Sequence, residues 1–191
     1  MVKIETIKQK LQQILSERRY RHSLGVADEA KKLALHYGAD TEKAYLAGLV
    51  HDCAKEIPPA RMQELMIHRY GVPVDAQMAH MPRLLHGPLG ACVAQSEFEI
   101  YDPEILDAIR FHTTGKAGMQ LLTKIIYIAD YIEPNRDFEG VEALRQLAYQ
   151  DIDSAILKGI DFTICDLVER GLILHIDTVH ARNDLILHRA D

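Results

Sequence analysis

A histidine and an aspartate stand side by side in this chain, at His51 and Asp52, directly after the apolar run AYLAGLV. Four further residues of the same two types are spread before and after the pair: His22, His86, His112 and Asp130. Imidazole nitrogen and carboxylate oxygen together suit divalent transition ions such as iron, manganese or zinc. The ordered set of histidines and aspartates therefore predicts a metal site.

The two aspartates both follow apolar stretches, Asp52 after AGLV and Asp130 after KIIYIA. A carboxylate on a buried face is costly unless it is paired or bound to a metal. These two carboxylates therefore need a cation, and the histidines offer a shared one. The six other histidines are interpreted as surface or satisfied core residues, since histidine is commonly partly buried: His36, His68, His80, His175, His180 and His188.

The elements that must position these residues are predicted to be helices, because apolar residues recur with i, i+3 and i+4 spacing nearly throughout. The predicted helices cover about residues 4–14, 20–37, 42–55, 60–70, 86–96, 103–112, 119–131, 139–148 and 152–170. We therefore predict an all-α fold, a helical bundle of about nine helices. Facing helices of a bundle are a common source of metal ligands.

Two stretches are less regular. Residues 74–85, interrupted by Pro82, are predicted to form a short helix and a loop. The tail from Leu172 to Asp191 contains ILHIDTVHA, which fits either a short strand or a frayed helix. No repeat or linker indicates a second unit, so the whole chain, residues 1–191, is predicted to be one domain.

The helix predicted over residues 42–55 carries both His51 and Asp52. Adjacent residues on a helix point about 100° apart. Their side chains could still converge on one ion from adjacent flanks of that helix. His86 is expected to begin a helix and His112 to end one, where both would lie at the mouth of a cavity.

Composition excludes several classes of partner and location. The chain has 48% hydrophobic residues, a net charge of −6 and a pI near 5.9, so no global field favours nucleic acid or an anionic membrane. Cys53, Cys92 and Cys165 lack a CxxC spacing, and we expect each to be a small buried hydrophobe. The N-terminus has no signal-peptide pattern and no stretch is apolar enough to span a bilayer. We expect a cytoplasmic protein without a membrane or nucleic-acid partner.

Five segments of the chain resemble one known family. They are RRYRHSLGVA around His22, LAGLVHDCAKEIP around the His51–Asp52 pair, LLHGPLGA, IRFHTTG and KIIYIADYIEPNR. Their order resembles the HD-domain metal-dependent phosphohydrolases, and in detail the YqeK family of bacterial symmetrical bis(5'-nucleosyl)-tetraphosphatases. The likeness covers about residues 15–175, which would be the core of a single HD-type domain. The HTTG and ADYIEPNR segments are more specific than the HD order alone.

The resemblance implies a metal-dependent hydrolase. Four residues would hold a primary ion: His22, His51, Asp52 and Asp130. The implied ion is iron, with manganese, cobalt and zinc as alternatives. Water activated by the metal would cleave diadenosine tetraphosphate (Ap4A) symmetrically into two nucleoside diphosphates, ADP- or GDP-type products. Asp52 and Asp130 would be catalytic through the metal.

The resemblance also suggests where substrate phosphates would bind. Lys55 lies three residues after Asp52 and could neutralise a phosphate oxygen as a catalytic cation. Arg136 could bind a phosphate in a bidentate way. Arg19 and Arg21 flank His22 near a helix start, and Thr113 could donate its hydroxyl. Lys55 and Arg21 could equally be solvated charges at helix ends.

Several alternatives stay open. His86 and His112 are expected to hydrogen-bond substrate phosphates beside one ion, with a second ion bridged by Asp52 as the alternative. Glu133 is expected to orient Arg136 or an imidazole rather than to bind metal. Tyrosines at three positions could stack on a base, although core packing is the simpler interpretation: Tyr101, Tyr127 and Tyr131.

The function has competitors as well. One is another HD-domain nucleotide phosphohydrolase or phosphodiesterase, and another is a non-catalytic nucleotide sensor. A sensor would not need every metal ligand, so the complete set favours an enzyme. The oligomeric state is open, with a homodimer as one alternative.

Overall fold

Eleven α-helices form the regular structure of the computed structural model, which describes residues 4–189. In chain order they are α1 (Ile4–Ile14), α2 (Glu17–Tyr37), α3 (Thr41–Val50), α4 (Pro59–Glu64), α5 (Ala76–His80), α6 (His86–Phe98), α7 (Pro103–Phe111), α8 (Leu121–Ile132), α9 (Val141–Gln150), α10 (Ile152–Glu169) and α11 (Ile176–Leu187). A π-helical turn, Leu65–Arg69, continues α4, and a 3-10 turn, Pro82–Leu84, precedes α6. None of residues 4–189 lies in a strand, so the predicted all-α fold class is confirmed.

Aspartates and glycines set the helix ends as local chemistry requires. The side chain of Asp40 accepts hydrogen bonds from the amides of Glu42 and Lys43 at the start of α3. Asp102 caps α7 in the same way. These bonds satisfy amides that have no partner within the helix. Gly38 ends α2 with a φ of 71°, a left-handed conformation that glycine adopts without a steric cost.

The core is built around α8, whose residues are mostly buried, and α2, α3, α7 and α10 pack against it. One hydrophobic cluster extends from Ile7 in α1 to Leu185 in α11. Helices α2 and α3 approach closely at Gly48, where an added Cβ would lie 2.8 Å from the Cα of Ala27. This close contact holds α2 and the end of α3, which carry three of the predicted metal ligands, next to each other.

The helix count is roughly as predicted, but one boundary differs from the sequence prediction. The structure has two more α-helices than about nine, because the short α5 and the tail helix α11 are both regular. Helix α3 ends at Val50 instead of continuing to Lys55. Beyond it the backbone forms tighter turns, with Cys53 N donating to Val50 O at 3.0 Å. The Nδ1 atom of His51 donates to the carbonyl of Gly48. In a continuing α-helix this carbonyl would accept from the amide of Asp52.

The tail is helical, and one of the three cysteines is exposed. The stretch left open between strand and helix is α11, with His175 as its N-cap. Cys53 is buried and Cys92 is half-buried, but Cys165 on α10 is exposed, so the expectation of three buried cysteines was wrong there. Within residues 4–189, no helix combines the length and apolar character that crossing a membrane requires.

Candidate metal centre

The predicted ligands meet at one place although they come from five helices. His22 lies within α2, His51 and Asp52 directly follow α3, His86 begins α6, His112 directly follows α7, and Asp130 lies near the end of α8. The histidines and Asp52 are at most 8% exposed, and the side chain of Asp130 is 16% exposed. The structure therefore brings together all six histidines and aspartates from which the sequence predicted a metal site.

All four histidines use the same ring nitrogen for an outer contact. The Nδ1 atoms of His51, His86 and His112 each lie within hydrogen-bond distance of the backbone carbonyl three residues earlier, at 2.7, 2.5 and 2.7 Å. His22 instead reaches the carboxylate of Glu133, at 3.0 Å. Carbonyl and carboxylate oxygens can only accept, so Nδ1 carries the proton in each ring. Each Nε2 is then left with a lone pair for a metal.

The first group of donors lies around the Oδ2 atom of Asp52. His51 Nε2 is 3.5 Å and His22 Nε2 is 3.8 Å from this oxygen. Asp130 Oδ1 is 3.1 Å from His22 Nε2 and 4.0 Å from His51 Nε2. Two donors bound to one ion at about 2.1 Å lie roughly 3.0–4.2 Å apart. The spacing of these four groups therefore matches one shared ion.

The second group lies around the other oxygen of Asp52. His86 Nε2 is 3.2 Å and His112 Nε2 is 3.4 Å from Oδ1. The two Nε2 atoms are 3.0 Å from each other. With both protons on Nδ1, these nitrogens present lone pairs to each other and to a carboxylate. Such an arrangement needs a cation or a donor, and Lys55 Nζ, 3.0 Å from His86 Nε2, meets part of this need. Asp52 lies between the two groups.

Buried atoms without partners support the same interpretation. His22 Nε2, His51 Nε2 and Asp52 Oδ1 have no hydrogen-bond donor among the described residues. Burying such acceptors unpaired is costly, and a metal ion would satisfy all of them. Two sets have ligand atoms within 4.8 Å of one another: His22, His51 and Asp130, and His51, Asp52 and His112. The nitrogen and oxygen donors thus fit a divalent transition ion.

The electrostatics keep these groups in the protonation states that metal binding needs. Burial acts to raise the pKa of Asp52, but the imidazoles of His51, His112 and His86 around it outweigh burial, so this pKa is well below its ordinary value. Burial also acts to raise the pKa of Asp130, but the neighbouring His22 imidazole and the charge of Arg136 outweigh it, so this pKa is lowered as well. Burial lowers the pKa of His86 to about 4. At neutral pH the carboxylates are therefore ionised and His86 is neutral.

Three cations contact the centre directly, and the third, Arg136, pairs with the Asp130 carboxylate. Arg19 Nη1 lies 2.6 Å from Asp52 Oδ2. Lys55 Nζ lies 3.0 Å from His86 Nε2 and 3.8 Å from Asp52 Oδ1. Burial is the main cause that lowers the pKa of Lys55. Lys55 is therefore part of the buried centre, which favours the phosphate role over the solvated alternative.

Arg136 and the other predicted substrate residues differ in how closely they approach the centre. Arg136 Nε donates to the carbonyl of Asp130 at 2.7 Å, and its guanidinium pairs with the carboxylate of the same residue. Thr113 lies beside His112, and its hydroxyl is buried without a partner among the described residues. Arg21 is largely exposed and pairs with Glu17. It lines the same groove as His22 and Arg19.

Glu133 orients an imidazole, as expected. Its carboxylate is buried, with Oε1 3.0 Å from His22 Nδ1, while Oε2 accepts from the backbone and side-chain amides of Asn135 at 2.7 and 2.8 Å. Gly25 makes room for it, since an added Cβ would lie 2.5 Å from Oε2. Carboxylates that accept from a ligating histidine fix its tautomer and raise its basicity.

Replacing Glu133 by glutamine should therefore weaken metal binding by about 10- to 100-fold, the usual effect of losing such a support. The NH2 group of the new glutamine would take the place of Oε1 or Oε2. It would then face another donor, either the His22 N–H or the amides of Asn135. Metal dissociation constants measured by competition with a coloured chelator test this expectation. Glu64→Gln, in an exposed pair with Arg61, is the matched control. Unchanged affinity in Glu133→Gln would show that His22 does not depend on this carboxylate.

Sequence reasoning missed the aromatic side chains beside the centre. Phe138 and Phe162 line a groove of about 600 Å³ that also includes His112, Asp130 and Arg136. Phe162 belongs to α10, far along the chain, and no local pattern distinguishes it from a core residue. Among the tyrosines considered for base stacking, Tyr127 is fully buried, Tyr101 is 67% exposed, and Tyr131 lines the groove.

Comparison with known proteins adds to this geometry. The family model described as "HD domain" matches residues 19–135, which include every predicted ligand. A protein of Bacillus subtilis (strain 168) named "Bis(5'-nucleosyl)-tetraphosphatase, symmetrical" is 43% identical over 92% of this chain and 94% of its own length. A protein of the same name from Staphylococcus aureus is 37% identical over 94% of this chain and 93% of its own.

A solved structure shows the same fold. It is described as a predicted HD superfamily hydrolase involved in NAD metabolism, from Clostridium acetobutylicum. The two chains are 46% identical and superpose with a TM-score of 0.97 over 99% of this chain and 100% of the other. The helical arrangement that builds the centre is thus shared with a crystallised relative.

Proposed function

The chain belongs to the HD-domain family, and we propose from this membership that it is a symmetrical bis(5'-nucleosyl)-tetraphosphatase. It hydrolyses diadenosine tetraphosphate, and related dinucleoside polyphosphates, into two nucleoside diphosphates. The observation that carries this conclusion is the 43% identity to the Bacillus subtilis tetraphosphatase over nearly the full length of both chains. A buried set of metal donors with cations beside it is the chemistry that such a reaction requires.

We propose that the primary ion is held by His22, His51, Asp130 and the Oδ2 atom of Asp52. The matching donor separations and the unpartnered Nε2 atoms support this set. Iron is the ion that the family resemblance implies, and manganese, cobalt or zinc would fit the same donors. A divalent ion in this position supplies activation of water and neutralisation of phosphoryl charge.

A second ion is proposed between His86, His112 and the Oδ1 atom of Asp52. The 3.0 Å approach of two imidazole lone pairs is the observation that favours it over phosphate contacts alone. Asp52 would then bridge two ions with its two oxygens. Metal content per chain, measured by elemental analysis of wild type and His86→Ala, tests the proposal. If both proteins contained one ion per chain, the second site would be ruled out.

The cations around the centre have distinct roles in the proposed reaction. Cleavage in the middle of a tetraphosphate expels a nucleoside diphosphate, which needs charge neutralisation more than a strong general acid. Lys55, next to both His86 and Asp52, is placed to neutralise an inner phosphate. Arg19 and Arg136, each paired with a ligand carboxylate, are placed to hold the phosphates on either side. Thr113 offers a free hydroxyl to the same chain of phosphates.

Product analysis tests the function against its competitors. Incubation with diadenosine tetraphosphate should convert one molecule into two of ADP, with no AMP or ATP at early times. A phosphatase or cyclic-nucleotide phosphodiesterase would leave the tetraphosphate intact. Protein loaded with metal that binds the nucleotide without turning it over would instead be a sensor.

Arg136→Ala should mainly weaken nucleotide binding. Hydrogen bonds to charged groups contribute about 1.5–3 kcal/mol, so we expect the KM to rise roughly 10- to 100-fold. The metal content should stay the same, because Arg136 is not itself a donor and its loss leaves the Asp130 carboxylate in place. Steady-state kinetics and elemental analysis of the same preparation check both parts, with Arg61→Ala as control. Loss of the metal would mean that Arg136 supports the ligand rather than the substrate.

Three further proposals rest mainly on the sequence. The whole chain is proposed to be one domain, supported by the hydrophobic cluster that extends from Ile7 to Leu185. A cytoplasmic location and the homodimer alternative remain proposals. Sedimentation velocity would decide the oligomeric state.

A further inference from the structure

Two grooves reach the candidate metal centre, and they share Arg136. The aromatic groove, about 600 Å³, is lined by His112, Thr113, Asp130, Tyr131, Arg136, Phe138, Glu139, Phe162, Thr163 and Asp166. The arginine groove, about 430 Å³, is lined by Glu17, Arg18, Arg19, Arg21, His22, Glu133, Asn135 and Arg136. Each groove includes predicted metal ligands, so each leads to the place where the bond would be cleaved.

The aromatic groove suits a nucleoside. Phe138 and Phe162 are 37% and 46% exposed and line the same groove, so together they present an apolar surface that a flat ligand could cover. The flat face of any nucleobase can stack on such a ring. Glu139 and Asp166 add carboxylates that can accept from ribose hydroxyls, and Asp166 also pairs with Arg170.

The arginine groove has the opposite character. Four arginines line it against two glutamates, and one of these, Glu133, is buried against His22. The other, Glu17, pairs with Arg21. Because the whole chain carries a net charge of −6, this groove is a local cationic exception. Guanidinium groups bind phosphates with paired hydrogen bonds, and no aromatic ring lines this groove except the imidazole of His22.

We propose that the two halves of the tetraphosphate are bound by different chemistry: the aromatic groove holds one nucleoside, and the arginine groove holds the two phosphates of the other half. The inference rests on the proposed function, since only symmetrical cleavage leaves two phosphates on each side of the broken bond. The enzyme then recognises one base and one diphosphate, although its substrate has two nucleosides.

This asymmetry has a chemical consequence. A nucleoside 5'-tetraphosphate, which lacks the second nucleoside, is also a substrate. Water adds its oxygen to one inner phosphorus, the central P–O bond breaks, and the bridging oxygen leaves with the other diphosphate. The products are a nucleoside diphosphate and pyrophosphate, with release of a proton. Its KM should lie within about threefold of that of the dinucleoside, because the second nucleoside makes little contact.

Two product inhibitors separate the grooves. Phe162→Ala should raise the inhibition constant of ADP about tenfold, since stacking on one ring contributes about a factor of ten or more. It should leave the inhibition constant of pyrophosphate unchanged. The double variant Arg18→Ala with Arg21→Ala should do the reverse, raising the constant for pyrophosphate roughly three- to tenfold by loss of two exposed charge contacts.

The controls keep the result interpretable. Tyr101→Ala and Arg61→Ala remove an exposed ring and an exposed guanidinium outside both grooves. Phe162→Leu keeps apolar bulk without the ring and should behave like Phe162→Ala. The target side chains are exposed, and equal melting temperatures would show that folding is intact.

Each outcome decides something. If the wild type does not cleave diadenosine tetraphosphate, the proposed function itself is overturned. If it does, the division of the grooves is overturned when each variant shifts the inhibition constants of ADP and pyrophosphate equally, or shifts neither. Failure to cleave the nucleoside tetraphosphate would also overturn it, because it would show that the second nucleoside is required.

Discussion

Asp52→Ala should abolish turnover and remove tightly bound metal. Asp52 lies between two groups of donors, with Oδ2 3.5 Å from His51 Nε2 and Oδ1 3.2 Å from His86 Nε2. The substitution deletes a ligand to the primary ion and the proposed bridge to a second. We expect a loss larger than the roughly 10- to 100-fold typical of residues that only support a ligand.

Charge and shape can be separated at this position. Asp52→Asn keeps the shape and one ligand oxygen but removes the charge that pairs with Arg19. It should retain part of the metal and almost none of the activity. The measurements are turnover of diadenosine tetraphosphate and metal per chain. Asp107→Asn, a half-buried aspartate that pairs with Lys116, is the matched control. Full activity of Asp52→Ala would disprove the metal site.

Removal of the metal from the wild type should abolish turnover and lower the melting temperature. Without a cation the centre leaves Asp52 Oδ1, His22 Nε2 and His51 Nε2 buried without donors. A ligand at 100 times its Kd stabilises a protein by about 2.7 kcal/mol. For a chain of this size each kcal/mol changes the Tm by about 2–4 °C, so we expect a fall of roughly 5–10 °C.

Calorimetry of the protein before and after dialysis against a chelator measures this fall. Iron, manganese, cobalt and zinc are then added back one at a time. The native ion should restore the Tm and the activity together. In Asp52→Ala the chelator should change the Tm far less. A chelated wild type that kept both its stability and its turnover would show that no metal is needed.

Local chemistry determined most of the helices, because caps and apolar spacing act within a few residues. Asp40, Asp102 and Gly38 are where their conformational preferences place them. The end of α3 was the exception. There the ring of His51 binds Gly48 O, and the chain turns earlier than apolar spacing indicates. Such competition between a side chain and the backbone cannot be read from hydrophobic periodicity.

The candidate ligands were also found from the sequence, since buried carboxylates and an ordered set of histidines form an unusual pattern. The sequence indicated that Glu133 orients Arg136 or an imidazole, and the structure places its carboxylate at His22. The aromatic groove did not. Phe162 comes from α10 and Phe138 from the loop after α8, and their exposure beside the centre depends on how those elements pack.

Residue types and their spacing along the chain were enough to predict the fold class, the family and the candidate donors. How these donors divide around the two oxygens of Asp52, and which chemistry each groove presents, depends on the three-dimensional packing. These features arise from contacts between residues far apart in the chain, as between His22 and Asp130, 3.1 Å apart in space. Their distances are set by helix packing, with Gly48 and Ala27 in near contact, and packing has no local signature.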